Sequence, residues 1–86
     1  MYYVYFIESE KLHRRYIGFS ENIEQRIQYH NQGKNVSTRY GSPWRLIYYE
    51  AYLSKADALG RERFLKSGAG WRYLRKQLAN YLLNQK

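Results

Sequence analysis

Residues 2–8 read Tyr2-Tyr3-Val4-Tyr5-Phe6-Ile7-Glu8, a run of aromatic and β-branched side chains that predicts a strand. Alternation sends Tyr3, Tyr5 and Ile7 to one face and Tyr2, Val4 and Phe6 to the other, so both faces call for cover. Working outward, the polar segment Ser9 to Arg14 separates this run from a second, Arg15 to Phe19, which predicts a β-hairpin. A turn centred between Glu10 and Lys11 would set Tyr5 opposite Tyr16, with both phenols on one face.

After the hairpin, Asn22 and Gln25 have capping-box spacing, and Gly33 is a natural stop for a helix over about Ile23 to Gln32. Its narrow inward stripe is Ile23, Ile27 and His30, with Arg26 on the flank. Lys34 to Trp44 has no period and reads as a basic loop rich in hydrogen-bond donors. Arg45 to Tyr52 supplies a third strand. Ser54, with Asp57 three residues on, starts a helix over about Lys55 to Lys66, and Ser67-Gly68 ends it. From Gly70, residues Trp71, Leu74, Leu78, Tyr81 and Leu82 recur at helical spacing, while Arg72, Arg75 and Lys76 face solvent. The expected fold is α+β: a small, mainly antiparallel three-stranded sheet flanked by three helices in the order β-β-α-β-α-α, one domain over residues 1–86.

A chain of 86 residues has little core to spare, and folding at this size buries about 60–65% of the extended chain's surface. There is no cysteine, which excludes disulfides, thiolate nucleophiles and Cys-ligated zinc. Eleven tyrosines, three phenylalanines and two tryptophans therefore carry much of the packing, each large apolar surface keeping a polar tip where it is Tyr or Trp. Fifteen Lys and Arg against seven Asp and Glu leave a formal charge of +8, which favours a polyanionic partner, nucleic acid before a membrane surface. The N-terminal apolar run is too short for a spanning helix and is interrupted by Glu8 and Glu10, so a soluble, cytoplasmic protein is expected.

Glu62 is the most informative single residue. It lies i+4 from Ala58, i+3 from Leu59 and i−3 from Leu65, in the apolar stripe of its helix, where a carboxylate requires a partner or a cation. The bland reading is a salt bridge to Arg26, Arg61, Arg63 or a loop lysine; the functional one is a divalent-metal ligand, with Mg²⁺ keeping most of its waters and sharing phosphate oxygens. Tyr5 and Tyr16 are core residues on the bland reading. On the functional one they are phenols able to donate to a phosphate oxygen or to take a proton from water. Arg26 can place a forked guanidinium on the same phosphate. His30, on the inward stripe, suits a hydrogen-bonded structural role first and proton transfer or phosphate contact second. Lys34, Arg39, Lys66 and Arg72, interleaved along the chain with Tyr40, Trp44 and Trp71, are candidates for tracking a nucleic-acid backbone and stacking on unpaired bases. Phosphate-loop, dinucleotide-binding and zinc-protease motifs are absent.

These residues together resemble the GIY-YIG nuclease superfamily, and within it the small stand-alone bacterial proteins. Tyr3-Val4-Tyr5 stands where the family has Gly-Ile-Tyr, and Tyr16-Ile17-Gly18 reproduces the second motif. Arg26 lies ten residues beyond Tyr16, His30-Asn31-Gln32-Gly33 is similar to the H-N-x-G that closes the first helix, and residues 58–66 look like the segment carrying the metal-binding glutamate. The resemblance implies a divalent-metal-dependent endonuclease acting on DNA in preference to RNA, with branched or damaged DNA as candidate substrates. It implies Mg²⁺ or Mn²⁺ on Glu62, Tyr5 or Tyr16 as base or water-orienting group, Arg26 on the phosphate, and His30 in a supporting place. The alternatives are a nucleic-acid-binding module that uses the same basic surface without cutting and, third, an adaptor for an acidic protein. No obligate protein partner is expected.

Overall fold

The computed structural model describes residues 1–84. Strand β1 (Tyr2–Ser9) is central in a three-stranded sheet of order β2-β1-β3, flanked antiparallel by β2 (Arg14–Ser20) and β3 (Trp44–Tyr52). Helix α1 (Ile23–Asn31) follows the hairpin, a 3₁₀ turn (Val36–Thr38) interrupts the loop before β3, and α2 (Lys55–Leu65), α3 (Gly68–Gln77) and α4 (Ala79–Leu83) follow it. The expected order of strands and helices holds. The last helix is divided at Leu78, whose backbone (φ −109°, ψ 25°) leaves the helical region, a break that apolar periodicity alone does not reveal. Among the described residues no helix is long and apolar enough to cross a membrane.

Both faces of β1 are covered, as its composition requires. Val4 and Phe6 pack with Ala58 and Leu65 of α2 and Leu74 of α3. Tyr5 and Ile7 pack with Trp44 on the opposite face, joined by Tyr16, Ile27 and Leu46. Fully burying one such side chain contributes about 1.5–3 kcal/mol, which makes the two-sided strand the main stabilising element. The helix starts follow the local chemistry: Asn22 accepts from Gln25 N at 3.1 Å, Ser54 from Asp57 N at 3.4 Å and Ser67 from Gly70 N at 3.1 Å.

The hairpin register differs from expectation. Tyr5 pairs with Gly18, and Tyr16 pairs with Ile7. The turn is centred one residue later than the symmetric reading because Ser9 Oγ accepts from Leu12 N at 3.1 Å and His13 takes a left-handed conformation, φ 52°. That moves the pairing by two residues, so every side chain keeps its face. Tyr5 and Tyr16 remain neighbours, with ring centroids 6.3 Å apart.

On the helix-α2 side, Glu50 of β3 gathers four donors. Arg61 Nε and Nη2 donate at 2.8 and 3.0 Å, and the hydroxyls of Tyr48 and Tyr52 each donate at 2.5 Å. Burial by itself raises the Glu50 carboxyl, but hydrogen bonds from Arg61, Tyr48 and Tyr52 outweigh it and hold the group below its usual range. A depressed folded-state pKa means that the stabilisation is complete above the ordinary glutamate value of about 4.3 and is lost as pH falls through the lower folded value. Glu50→Gln is expected to lose about 2 kcal/mol at neutral pH, the scale of a hydrogen bond to a charged group. In urea unfolding, the gap between variant and wild type should close below about pH 4.

Candidate active site

The site grows from the middle of β1. Tyr5 is 1% exposed, and its hydroxyl lies 2.7 Å from His30 Nε2. It fits there because its partner across the ladder is Gly18: a methyl group on Gly18 would overlap the Tyr5 phenol. The glycine of Tyr16-Ile17-Gly18 is thus required by the tyrosine of Tyr3-Val4-Tyr5, since the phenol occupies the volume of the missing Cβ. Tyr16 stands two pairs along, on the same face, and meets His30 edge-on, ring centroids 4.9 Å apart.

His30 closes helix α1 and is fully buried. Its second nitrogen, Nδ1, lies 2.7 Å from Thr38 Oγ1, so a chain of three buried groups runs Tyr5–His30–Thr38 from the central strand to the 3₁₀ turn. Burial first, and then the nearby Arg26 charge, lower the His30 pKa from 6.5 to about 4, which keeps the imidazole neutral at physiological pH. A neutral ring has one N–H and one acceptor nitrogen. When Tyr5 donates to Nε2, Nδ1–H donates to Thr38; when Nε2–H donates to Tyr5, Thr38 donates to Nδ1. Burial pushes the Tyr5 phenol up to about 12, a rise opposed by hydrogen bonding from Arg26 and augmented by the charges of Tyr16 and Glu62.

The rest of the loop closure explains the residues after His30. Asn31 Oδ1 accepts from Trp44 N at 2.6 Å, which ties the end of α1 to the start of β3. Gly33 takes φ +74°, a left-handed conformation that glycine adopts without strain. Trp44 Nε1 donates to Thr38 O at 2.9 Å and holds the 3₁₀ turn under the histidine.

Arg26 brings a cation to this cluster, its guanidinium 4.6 Å from the Tyr29 ring centroid. Among the described residues, Arg26 Nε is a buried side-chain donor with no acceptor. Such a group costs about 1–3 kcal/mol unless it is satisfied, and it is suited to an incoming anion. Glu62 is close enough for its charge to act on Tyr5. Its side chain is 18% exposed and pairs with Lys66 Nζ at 3.2 Å, one turn along the same helix. Lys66 was not among the partners the sequence suggested for Glu62, because an i,i+4 pair is a local option available to any such helix.

The structure brings together Tyr5, Tyr16, Arg26, His30 and Glu62, with Lys66 at the rim. The other expected nucleic-acid contacts are dispersed. Lys34 and Arg39 are exposed in the loop after α1, where Arg39 Nε donates to Gly33 O at 3.4 Å. Arg72 lines a separate surface hollow with Tyr73, Arg75 and Lys76. Thr38 was not singled out from the sequence, and its Ser37-Thr38 surroundings carry no period that marks it; only the folded loop turns its hydroxyl toward His30.

Fold and cluster together define a small α+β domain that carries a buried tyrosine–histidine pair beside an arginine and a glutamate. The GIY-YIG catalytic domain matches residues 1–70, and the chain belongs to the GIY-YIG family. Nuclease action on nucleic acid is what that family implies. UPF0213 protein CPE1444 of Clostridium perfringens is 37% identical over 67 residues, 77% of this chain and 71% of that protein. UPF0213 protein HQ_3675A of Haloquadratum walsbyi is 35% identical over 69 residues, 77% and 74% respectively. The solution NMR structure of UPF0213 protein BH0048 from Bacillus halodurans shares the fold with a TM-score of 0.54 at 31% identity, covering 90% of this chain and 85% of that one.

Two measurements check the site. In an NMR titration the His30 imidazole should stay neutral between about pH 5 and 8; a midpoint near 6.5 would contradict the buried relay. Because its folded value lies below the unfolded one, His30 contributes stability that is lost as pH falls from 6.5 toward about 4. Gly18→Ala should lower stability by about 1–3 kcal/mol, the cost of overpacking a filled core, and shift the Tyr5 and His30 ring resonances. An unperturbed Tyr5 ring in that variant would show that the glycine is not required for the phenol.

Proposed function

We propose that this domain is a divalent-metal-dependent endonuclease that hydrolyses phosphodiester bonds in DNA, with branched or damaged DNA as candidate substrates in repair or recombination. The observation that carries the reading is Arg26 Nε, a buried donor with no acceptor among the described residues, beside two phenols and a carboxylate.

Among the described residues no three His, Cys, Asp or Glu side chains cluster as metal ligands. That donor set does not suit an ion caged by protein. A single carboxylate does fit Mg²⁺ or Mn²⁺ whose other positions are water and phosphate oxygens, with Glu62 as the protein ligand and Lys66 yielding its exposed ion pair to substrate. When bound, the cation polarises the phosphate and stabilises charge on the leaving oxygen. Arg26 holds the phosphate through a charge-assisted hydrogen bond. Tyr16, half-buried at the β2 edge, orients the attacking water.

Tyr5 also meets the attacking water. Neutral His30, itself held by Thr38, fixes the phenol through the Nε2 contact. A phenol near 12 stays protonated at neutral pH, so its first role is to orient the attacking water by hydrogen bonding. Arg26 further favours negative charge on the oxygen.

A second reading rests on the Glu62–Lys66 pair. A carboxylate neutralised within its own helix also suits a module that holds nucleic acid without cutting it. Incubation with plasmid, single-stranded and branched DNA in Mg²⁺, Mn²⁺ or chelator separates the two. The nuclease reading expects metal-stimulated products, with Glu62→Gln, Tyr5→Phe and Arg26→Ala each lowering the rate by at least about 100-fold. Salt-sensitive binding without product, retained in Glu62→Gln, would establish the binding module instead.

A further inference from the structure

At the β2 edge of the sheet, beside the candidate site, lies a hollow of about 300 Å³. Its floor is apolar, formed by Phe6 and Leu74, and Trp71 forms a wall. Tyr16, Arg15 and Lys66 also line it. Two of these residues also belong to the site: Tyr16 packs on His30 with ring centroids 4.9 Å apart, and Lys66 pairs with Glu62 at 3.2 Å. The hollow and the site therefore share a border.

Trp71 is half-buried, standing edge-on to Phe6 with ring centroids 6.3 Å apart. The Arg15 guanidinium lies over its ring at 5.1 Å from the centroid. An apolar floor with an indole wall and two cations at the mouth is poorly suited to an acidic peptide, whose carboxylates would find no use for the floor. It matches a nucleotide, which has a flat apolar body and an anionic link on each side. Bases outside a duplex stack on aromatic rings and guanidinium planes, while lysine and arginine track their phosphates. The Arg15–Trp71 contact is weak at an exposed position, so a base can take the indole while Arg15 stays paired with Glu8 at 3.0 Å and the more exposed Lys66 meets a flanking phosphate.

We infer that this hollow holds one unpaired nucleobase, next to the phosphate gripped by Arg26, and that the domain prefers strands with an unstacked nucleotide at that point. The inference rests on the site being a phosphodiester site. Duplex DNA keeps its bases stacked and out of reach, whereas a single strand, flap or bulge presents one at no unpairing cost.

The test is equilibrium binding by fluorescence anisotropy in chelator, so that cleavage plays no part. Full-length protein is titrated with a short oligothymidine and with a strand of equal length and charge made of abasic sugar-phosphates. The thymidine strand should bind at least about fivefold tighter, the lower end for one stacked base. Trp71→Ala should abolish that difference while leaving abasic binding intact, and Trp71→Phe should retain most of it. Equal binding of the two strands by wild type overturns the inference, as does a difference that persists in folded Trp71→Ala. Should Trp71→Ala fail to fold, the wild-type comparison together with Trp71→Phe decides. Because this comparison is made in chelator, absence of metal-stimulated cleavage by the wild-type protein would refute the nuclease reading while the base preference stands or falls on binding alone.

Discussion

The hydrogen bond between Tyr5 and His30 joins three distant parts of the chain. Tyr5 lies in the central strand, His30 at the end of the first helix, and through its other nitrogen His30 reaches Thr38 in the loop beyond. All three side chains are buried, so each polar atom must find its partner inside the protein, and an unmade bond costs more than a made one contributes. That asymmetry sets the position of α1 over the sheet. It also explains why a hydrophobic face tolerates a histidine: the ring is neutral, and both nitrogens are used.

Function and folding make opposite demands on the neighbouring Arg26. Its Nε is buried without an acceptor among the described residues, a cost the fold carries instead of relieving. The Glu50 cluster on the other face shows the contrast, since there every donor aimed at the carboxylate finds it. One cluster is closed and stabilising, whereas the other has a donor in reserve. Such local violations of polar satisfaction are where a binding or catalytic role is expected.

Much of the fold was legible. Aromatic and β-branched runs marked the strands, and Asn22 and Ser54 marked two helix starts through short-range hydrogen bonds that depend on neighbouring residues alone. Ser67, read as the end of α2, instead caps the start of α3. The two apolar faces of β1 called for helices on both sides. The hairpin register and the break at Leu78 were not legible, because the first depends on one left-handed residue, His13, and the second interrupts a helix whose apolar spacing continues across it.

For the site, the residue types and spacings singled out Tyr5, Tyr16, Arg26, His30 and Glu62, since a carboxylate on an apolar stripe and a histidine on an inward one stand out against ordinary core chemistry. The strand order, the pairing of Tyr5 with Gly18 and the seating of Thr38 under His30 were decided only by tertiary structure. So was the choice of Lys66, over any arginine, as the Glu62 partner. The physical reason is range. Propensity, capping and alternation act over a few residues, but a buried hydrogen bond between residues 25 apart in sequence exists only once the sheet and helix have been brought together.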